Sequence, residues 1–264
     1  MSPRTLLRHC LAPLLLLAVG SAAARQDPGP AAPAGPPALE EVPVYEAAPL
    51  EPFLASYQAW YRGRQAGDAT MQVMRGEGQR WRVDLSIRGD RGLAGLTRLN
   101  IQQSTVFEQD GALLRPLSQS TVRKAVLMDK RVTGTYDWQA MQARWSGDLK
   151  KDRLRPLALR EGDMSALLIN LAVIRDARPG ATLAYRFVDG GRVREHRYEV
   201  SVQAETLTVG DMSYQALRVA RIGNHDGDQT VLWVANGVPT PVRILQRKDG
   251  EDEIDLRLVE YRGT

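Results

Sequence analysis

From Phe53 onward, apolar and polar residues alternate with a period of two, the pattern of β-strands that bury one face. In "RWRVDLSI" (80–87), Trp81, Val83, Leu85 and Ile87 point one way, and Arg80, Arg82, Asp84 and Ser86 point the other. "ATLAYRFV" repeats the pattern with Leu183, Tyr185 and Phe187, and "EIDLRLVEY" with Ile254, Leu256 and Leu258. Compact turn signals separate such runs: "GRQAG", "GEGQ", "QDG", "DGG", "NHDGD" and "KDG". Asp189-Gly190-Gly191 and Lys248-Asp249-Gly250 suit tight hairpins, because glycine accepts the positive φ those turns require. The pattern predicts a mainly β protein: about a dozen antiparallel strands in a strongly curved sheet or incomplete barrel.

One segment has a different period. In "EGDMSALLINLAVIRDARPG" (161–180), Met164, Leu167, Leu168, Leu171 and Ile174 recur at helical spacing, Asp163 stands where an N-cap would, and Pro179-Gly180 ends the run. This predicts one amphipathic helix covering or filling the sheet, since its apolar face has to be buried against something. In "LWVANGVPTPVRI" (232–244), Pro239 and Pro241 lack the N–H a ladder needs, so they mark a rigid corner before the closing hairpin.

The residues before Phe53 read differently. Residues 1–24 have the parts of a secretory signal peptide: Arg4 and Arg8, an apolar run from Leu11 to Val19, and Ala22-Ala23-Ala24 as a cleavage site. That apolar run is roughly half the ~20 residues a membrane-spanning helix needs. Residues 25–52, with eight prolines in 27–52, read as a disordered spacer, and residues 53–264 as a single β-rich domain. The expected location is the periplasm, with no transmembrane segment left after cleavage. The single cysteine, Cys10, lies in the signal, so the exported domain has no thiol for disulfides, nucleophilic attack or metal thiolates.

Charge adds little. The formal net charge of +4 falls to +2 once Arg4 and Arg8 are removed. "KKDRLRP" (150–156) reads as a solvated hairpin tip, and no nucleic-acid motif is present. No serine sits in a Gly-x-Ser-x-Gly elbow. His196, in "RVREHRYEV", shares a face with Tyr198, Val200 and Val202 and reads as a sheet residue. His225 with Asp226 and Asp228 lacks the spacing of a calcium loop, so no metal or other cofactor is expected. Carboxylates are plentiful (Asp137, Asp148, Asp152, Asp163, Glu205), yet with 31 acids in the chain pairs arise by chance, and no catalytic residue is assigned.

The aromatic residues are more suggestive. Trp60, Trp81, Tyr136, Trp138 and Trp233 lie in strand-like runs, as does Trp145. They either fill a wide core or line an apolar cavity with polar edges, and the five named first are the ligand-cavity candidates.

Several phrases together resemble the bacterial exported-protein family catalogued as domain of unknown function 3108. They are "FLASYQAWYRGRQAGDATM" (53–71), "GLAGL" (92–96), "YDW" (136–138, where the family has Phe-Asp-Trp), the 161–180 segment, and "LWVANGVPTPVRILQRKDGEDEIDLRLVEY" (232–261). The resemblance implies an exported β-rich domain and supplies no catalytic residues. Its general plan is similar to periplasmic carriers of lipids and lipoproteins, in which a curved antiparallel sheet wraps one or more helices. The resulting expectation is a non-catalytic envelope protein that holds an acyl chain, a lipid or acylated envelope component, or a partner protein's segment on a concave sheet. Two alternatives stand beside it: a carboxylate-dependent hydrolase of an envelope polymer, with Asp137 and Asp163 as its acids, and a structural module that pairs sheet edges with an envelope partner.

Overall fold

A computed structural model of the protein describes residues 49–89, 100–124, 129–223 and 229–264. The signal and nearly all of the spacer, the "GLAGL" phrase and the His225 turn lie outside the described residues.

The alternation read from the sequence becomes an antiparallel meander: β1 (Phe53–Tyr61), β2 (Arg64–Arg75), β3 (Arg80–Gly89), β4 (Asn100–Asp110), β5 (Leu113–Lys124), β6 (Lys130–Asp137), β7 (Gln142–Gly147) and the two-residue β8 (Leu157–Ala158). A second two-residue strand, β9 (Asp163–Met164), leads into the helix α1 (Ala166–Asp176). The chain then returns through β10 (Thr182–Asp189), β11 (Arg192–Val200), β12 (Glu205–Val209), β13 (Met212–Ile222), β14 (Gln229–Ala235), β15 (Arg243–Lys248) and β16 (Glu251–Gly263). All belong to one sheet that does not close, in the order β8-β7-β6-β5-β4-β3-β2-β1-β16-β15-β14-β13-β11-β10-β9, with β12 hydrogen-bonded to β13 off that path. Among the described strands, only β9 and β10 run parallel. Sixteen strands replace the expected dozen. Two of the sixteen, β8 and β9, are two residues long, too short to show a period of two.

The inner face is dictated by parity. Phe53, Ala55, Tyr57 and Ala59 of β1, and Trp81, Val83 and Leu85 of β3, are buried while their neighbours face outward. α1 lies against this face and fills it. Leu167, Leu168, Ile169, Leu171, Ala172 and Val173 are all buried, so almost the whole circumference of the helix is in the core. Its N-cap is Ser165, whose Oγ accepts from Leu168 N, and not Asp163. Asp163 is fully buried two residues earlier and is claimed by a stronger partner, the Arg186 guanidinium, at 2.6 Å. No helix of the described residues is long and apolar enough to cross a membrane.

The two limbs of the sheet meet through side chains instead of a backbone ladder. Thr105 and Ser165 share a hydroxyl–hydroxyl bond of 2.9 Å, Gln119 Nε2 donates to Asp189 Oδ1 at 2.5 Å, and the Tyr136 hydroxyl donates to Val188 O at 2.7 Å. Beside this polar seam, Tyr136, Ala143, Trp145, Leu159 and Val188 form a small second core. Gly134 belongs there by necessity, since a methyl at its Cα would lie 2.5 Å from Trp145 Nε1. "KKDRLRP" lies in the long loop between the antiparallel neighbours β7 and β8, where Lys151–Leu154 form a 3-10 turn with no buried residue and the Arg153 carbonyl packs against Gly191.

Candidate functional site

Between the N-terminal half of α1 and the inner face of the sheet lies a cavity of about 260 Å³. Strand pairing explains how it is built. Ile87 pairs with Ile101, and Ile101 with Arg123, so β3, β4 and β5 present those side chains to one side. On the opposite limb, Phe187 pairs with Arg194, Tyr185 with His196, and Tyr198 with Arg221, which places Phe187, Arg194, His196, Tyr198 and Arg221 on the inner face of β10, β11 and β13. Ile244, Ile254 and Leu256 supply the floor between the limbs, and Leu167, Ile169 and Asn170 of α1 the remaining wall. The result is a pocket in which apolar walls alternate with polar and charged groups, concave enough for a small molecule.

Its charge is one-sided. Arg123, Arg194 and Arg221 line it, together with the amides of Gln103, Asn170 and Gln246, and no carboxylate among the described residues does. Arg221 is half-buried, and its Nε is shielded from solvent without a hydrogen-bond partner. His196 stacks on Phe187 with ring centroids 4.6 Å apart. Burial, followed by the fields of Arg221 and Arg194, pushes its imidazole from 6.5 down to about 4. The folded state therefore keeps His196 neutral under conditions where the unfolded chain takes up a proton. Stability contributed in this way is complete above about pH 6.5, declines as the pH falls towards 4, and levels off below that. Urea midpoints measured from pH 7 to 4 should show this slope in the native protein and a flatter one in His196→Leu.

The five aromatic candidates lie elsewhere, in three settings, and Trp60 also borders a separate cavity of about 480 Å³ between β1, β16 and the turn joining β12 to β13. Trp81 is in the main core near Arg75. Tyr136 is in the second core, and Trp138 packs on that core with Nε1 donating to Pro116 O at 2.8 Å. Trp233 and Trp60 sit on the outer face, at the two ends of a ladder that crosses four strands. Arg243 stacks 4.8 Å from the Trp233 ring, Asp255 accepts from both Arg243 (2.8 Å) and Arg257 (2.9 Å), and Arg257 lies 4.4 Å over Trp60. Glu205 of β12 caps the ladder by accepting from Trp233 Nε1. None of the five lines the 260 Å³ cavity. Its apolar walls follow from the alternation, whereas its arginines carry no signal as a group, because an isolated arginine in a strand is ordinarily solvent-facing. The available signal was parity: Arg194 lies two residues before the inward His196.

The carboxylates have structural tasks. Asp137 Oδ1 accepts from Gln139 N and Ala140 N in a turn, Asp148 Oδ2 accepts from Arg131 N, and Asp163 is held by Arg186 and Arg160 N. Asp189 is raised above the usual carboxylate range by burial, although Ala166 N and Gln119 donate to it. Among the described residues, no cluster of three or more His, Cys, Asp or Glu side chains could hold a metal ion.

A family model described as "Protein of unknown function (DUF3108)" matches residues 56–257. No curated protein matches the sequence. Among solved structures, the chain is similar to a beta-barrel-like protein of domain of unknown function DUF1849 from Brucella abortus, at 13% identity and a TM-score of 0.49, over 82% of this chain and 99% of the other.

Proposed function

The chain belongs to the DUF3108 family, whose match runs from β1 into β16, and on that premise we propose that it is a non-catalytic binding protein of the bacterial envelope. It holds an apolar ligand, a single acyl chain or the acylated end of an envelope component, between α1 and the concave face of the sheet. The observation that carries this reading is the cavity itself: 260 Å³ walled by isoleucines, leucines and Phe187, close to the roughly 300 Å³ at which small-molecule sites begin. Each methylene transferred there from water contributes about 0.8 kcal/mol, enough for a medium-length chain to bind at micromolar concentrations. The signal-like residues 1–24 support export to the periplasm.

The alternatives receive less support. Asp137 and Asp163 are occupied by backbone amides and an arginine, which leaves the hydrolase reading without its acids. Edge pairing would have only short stretches to use: β8 and β9 at the ends of the main strand order are two residues each, and the edge strand β12 is five. The test is a fluorescent medium-chain acyl probe titrated into the protein, with Ile87→Trp as the variant that fills the cavity from its half-buried wall. Stoichiometric uptake by the native protein and its loss in Ile87→Trp are expected. A folded native protein that takes up no probe overturns the proposal.

A further inference from the structure

We infer that the ligand is an anionic amphiphile, a carboxylate or phosphate head on one acyl chain, whose head is received by Arg123, Arg194 and Arg221. This inference rests on the cavity reading above and adds what selects the occupant.

Three facts point to it. First, three guanidiniums from three strands line one small cavity whose other walls are largely apolar, with no acid beside them among the described residues. None of the three forms an ion pair with another of the described residues, whereas Arg186, Arg243 and Arg257 each do so elsewhere. Second, Arg221 Nε is buried without a partner, a state that disfavours the empty protein and that an entering oxyanion relieves. Third, the planar guanidinium fork matches carboxylate and phosphate oxygens in bidentate geometry, while an alcohol or amide head offers no charge in return. Arg123 and Arg194 are exposed, so the head can remain partly hydrated while the chain passes inward over Ile87, Ile101 and Leu256.

The arrangement also excludes other ligands. A cationic head would face three like charges with no counter-ion. A diacyl lipid has two chains to place in about 260 Å³, a volume at the lower end of ligand sites.

The test is isothermal titration of the full chain with dodecanoate, dodecyl phosphate, dodecanol and inorganic phosphate, each below its aggregation limit. Both anionic amphiphiles are expected to bind at least about tenfold more tightly than dodecanol, the margin of one charge-assisted hydrogen bond. Added salt should weaken the anions and leave the alcohol unchanged, a measurement that needs no variant. Arg194→Met combined with Arg221→Met, which leaves Arg123 in place, should remove most of the anions' advantage over dodecanol. Equal binding of dodecanol and dodecanoate by the native protein overturns the head-group assignment and leaves the cavity reading standing. No binding of any chain overturns both. Displacement of dodecyl phosphate by an equal concentration of inorganic phosphate would show a free-anion site and overturn the amphiphile.

Discussion

Replacing Asp163 with asparagine is expected to lower the melting temperature by roughly 10 °C, the largest effect of any single carboxylate in the described structure. The side chain is fully buried. It accepts from Arg186 Nη1 at 2.6 Å and from Arg160 N at 2.8 Å, so it joins β9 to β10 and fixes the turn that feeds α1. Breaking a buried pair from one side destabilises by about 3–5 kcal/mol, because the remaining charge loses its counter-ion without regaining water. In a domain of this size each kcal/mol shifts the midpoint by about 2–4 °C. Asp163→Leu combined with Arg186→Leu should recover most of the loss, since a well-packed apolar pair can replace a buried ion pair. Thermal melts of the native, single and double variants check this. An Asp163→Asn protein that melts within a degree of the native one would overturn the assignment of Asp163 as a structural anchor.

Tyr57→Ala should destabilise to a similar degree, by about 3–5 kcal/mol. Tyr57 is 1% exposed on β1, and its hydroxyl contacts the Thr240 hydroxyl and donates to Pro241 O at 3.0 Å. Burial raises the phenol far above its ordinary range, so it remains a neutral donor at every physiological pH. The ring therefore pins the Pro239-Thr240-Pro241 corner to a strand some 180 residues earlier. Tyr57→Phe keeps the ring and removes the hydroxyl. It should lose about 1–3 kcal/mol, the penalty for leaving a buried carbonyl and hydroxyl without their partner. Urea denaturation of the two variants separates ring packing from hydrogen bonding, and the alanine variant should be the weaker by at least a kcal/mol.

These two anchors show where sequence reading succeeds and where it stops. Period-two alternation finds strands such as β3, because Trp81, Val83 and Leu85 contrast sharply with Arg80 and Arg82. Glycine turns are legible for the same local reason: Gly190 and Gly191 do adopt positive φ between β10 and β11. The helix was legible as well, but not its cap, because Asp163 is drawn away by Arg186, 23 positions further on. The cavity was hidden for a related reason. Tryptophans identify strands without indicating which face they occupy, so Trp60 and Trp233 belong to an outer ladder. Arg123, Arg194 and Arg221 look solvated one at a time and come together only when β5, β11 and β13 curve around α1. Local chemistry yields elements; long-range register yields the site.

The partnership of β1 with β16 also has a consequence for biosynthesis. Phe53 faces Gly263 and Tyr61 faces Ile254, so the first and last strands of the domain lie side by side in the middle of the sheet. A chain interrupted between β15 and β16 would lose a central strand and expose the backbone edges of both β1 and β15, two open templates for aggregation or proteolysis. The sheet cannot be completed piecemeal. Its wiring makes arrival of the final hairpin the condition for burying the first strand, so incomplete chains are marked for disposal by their own topology.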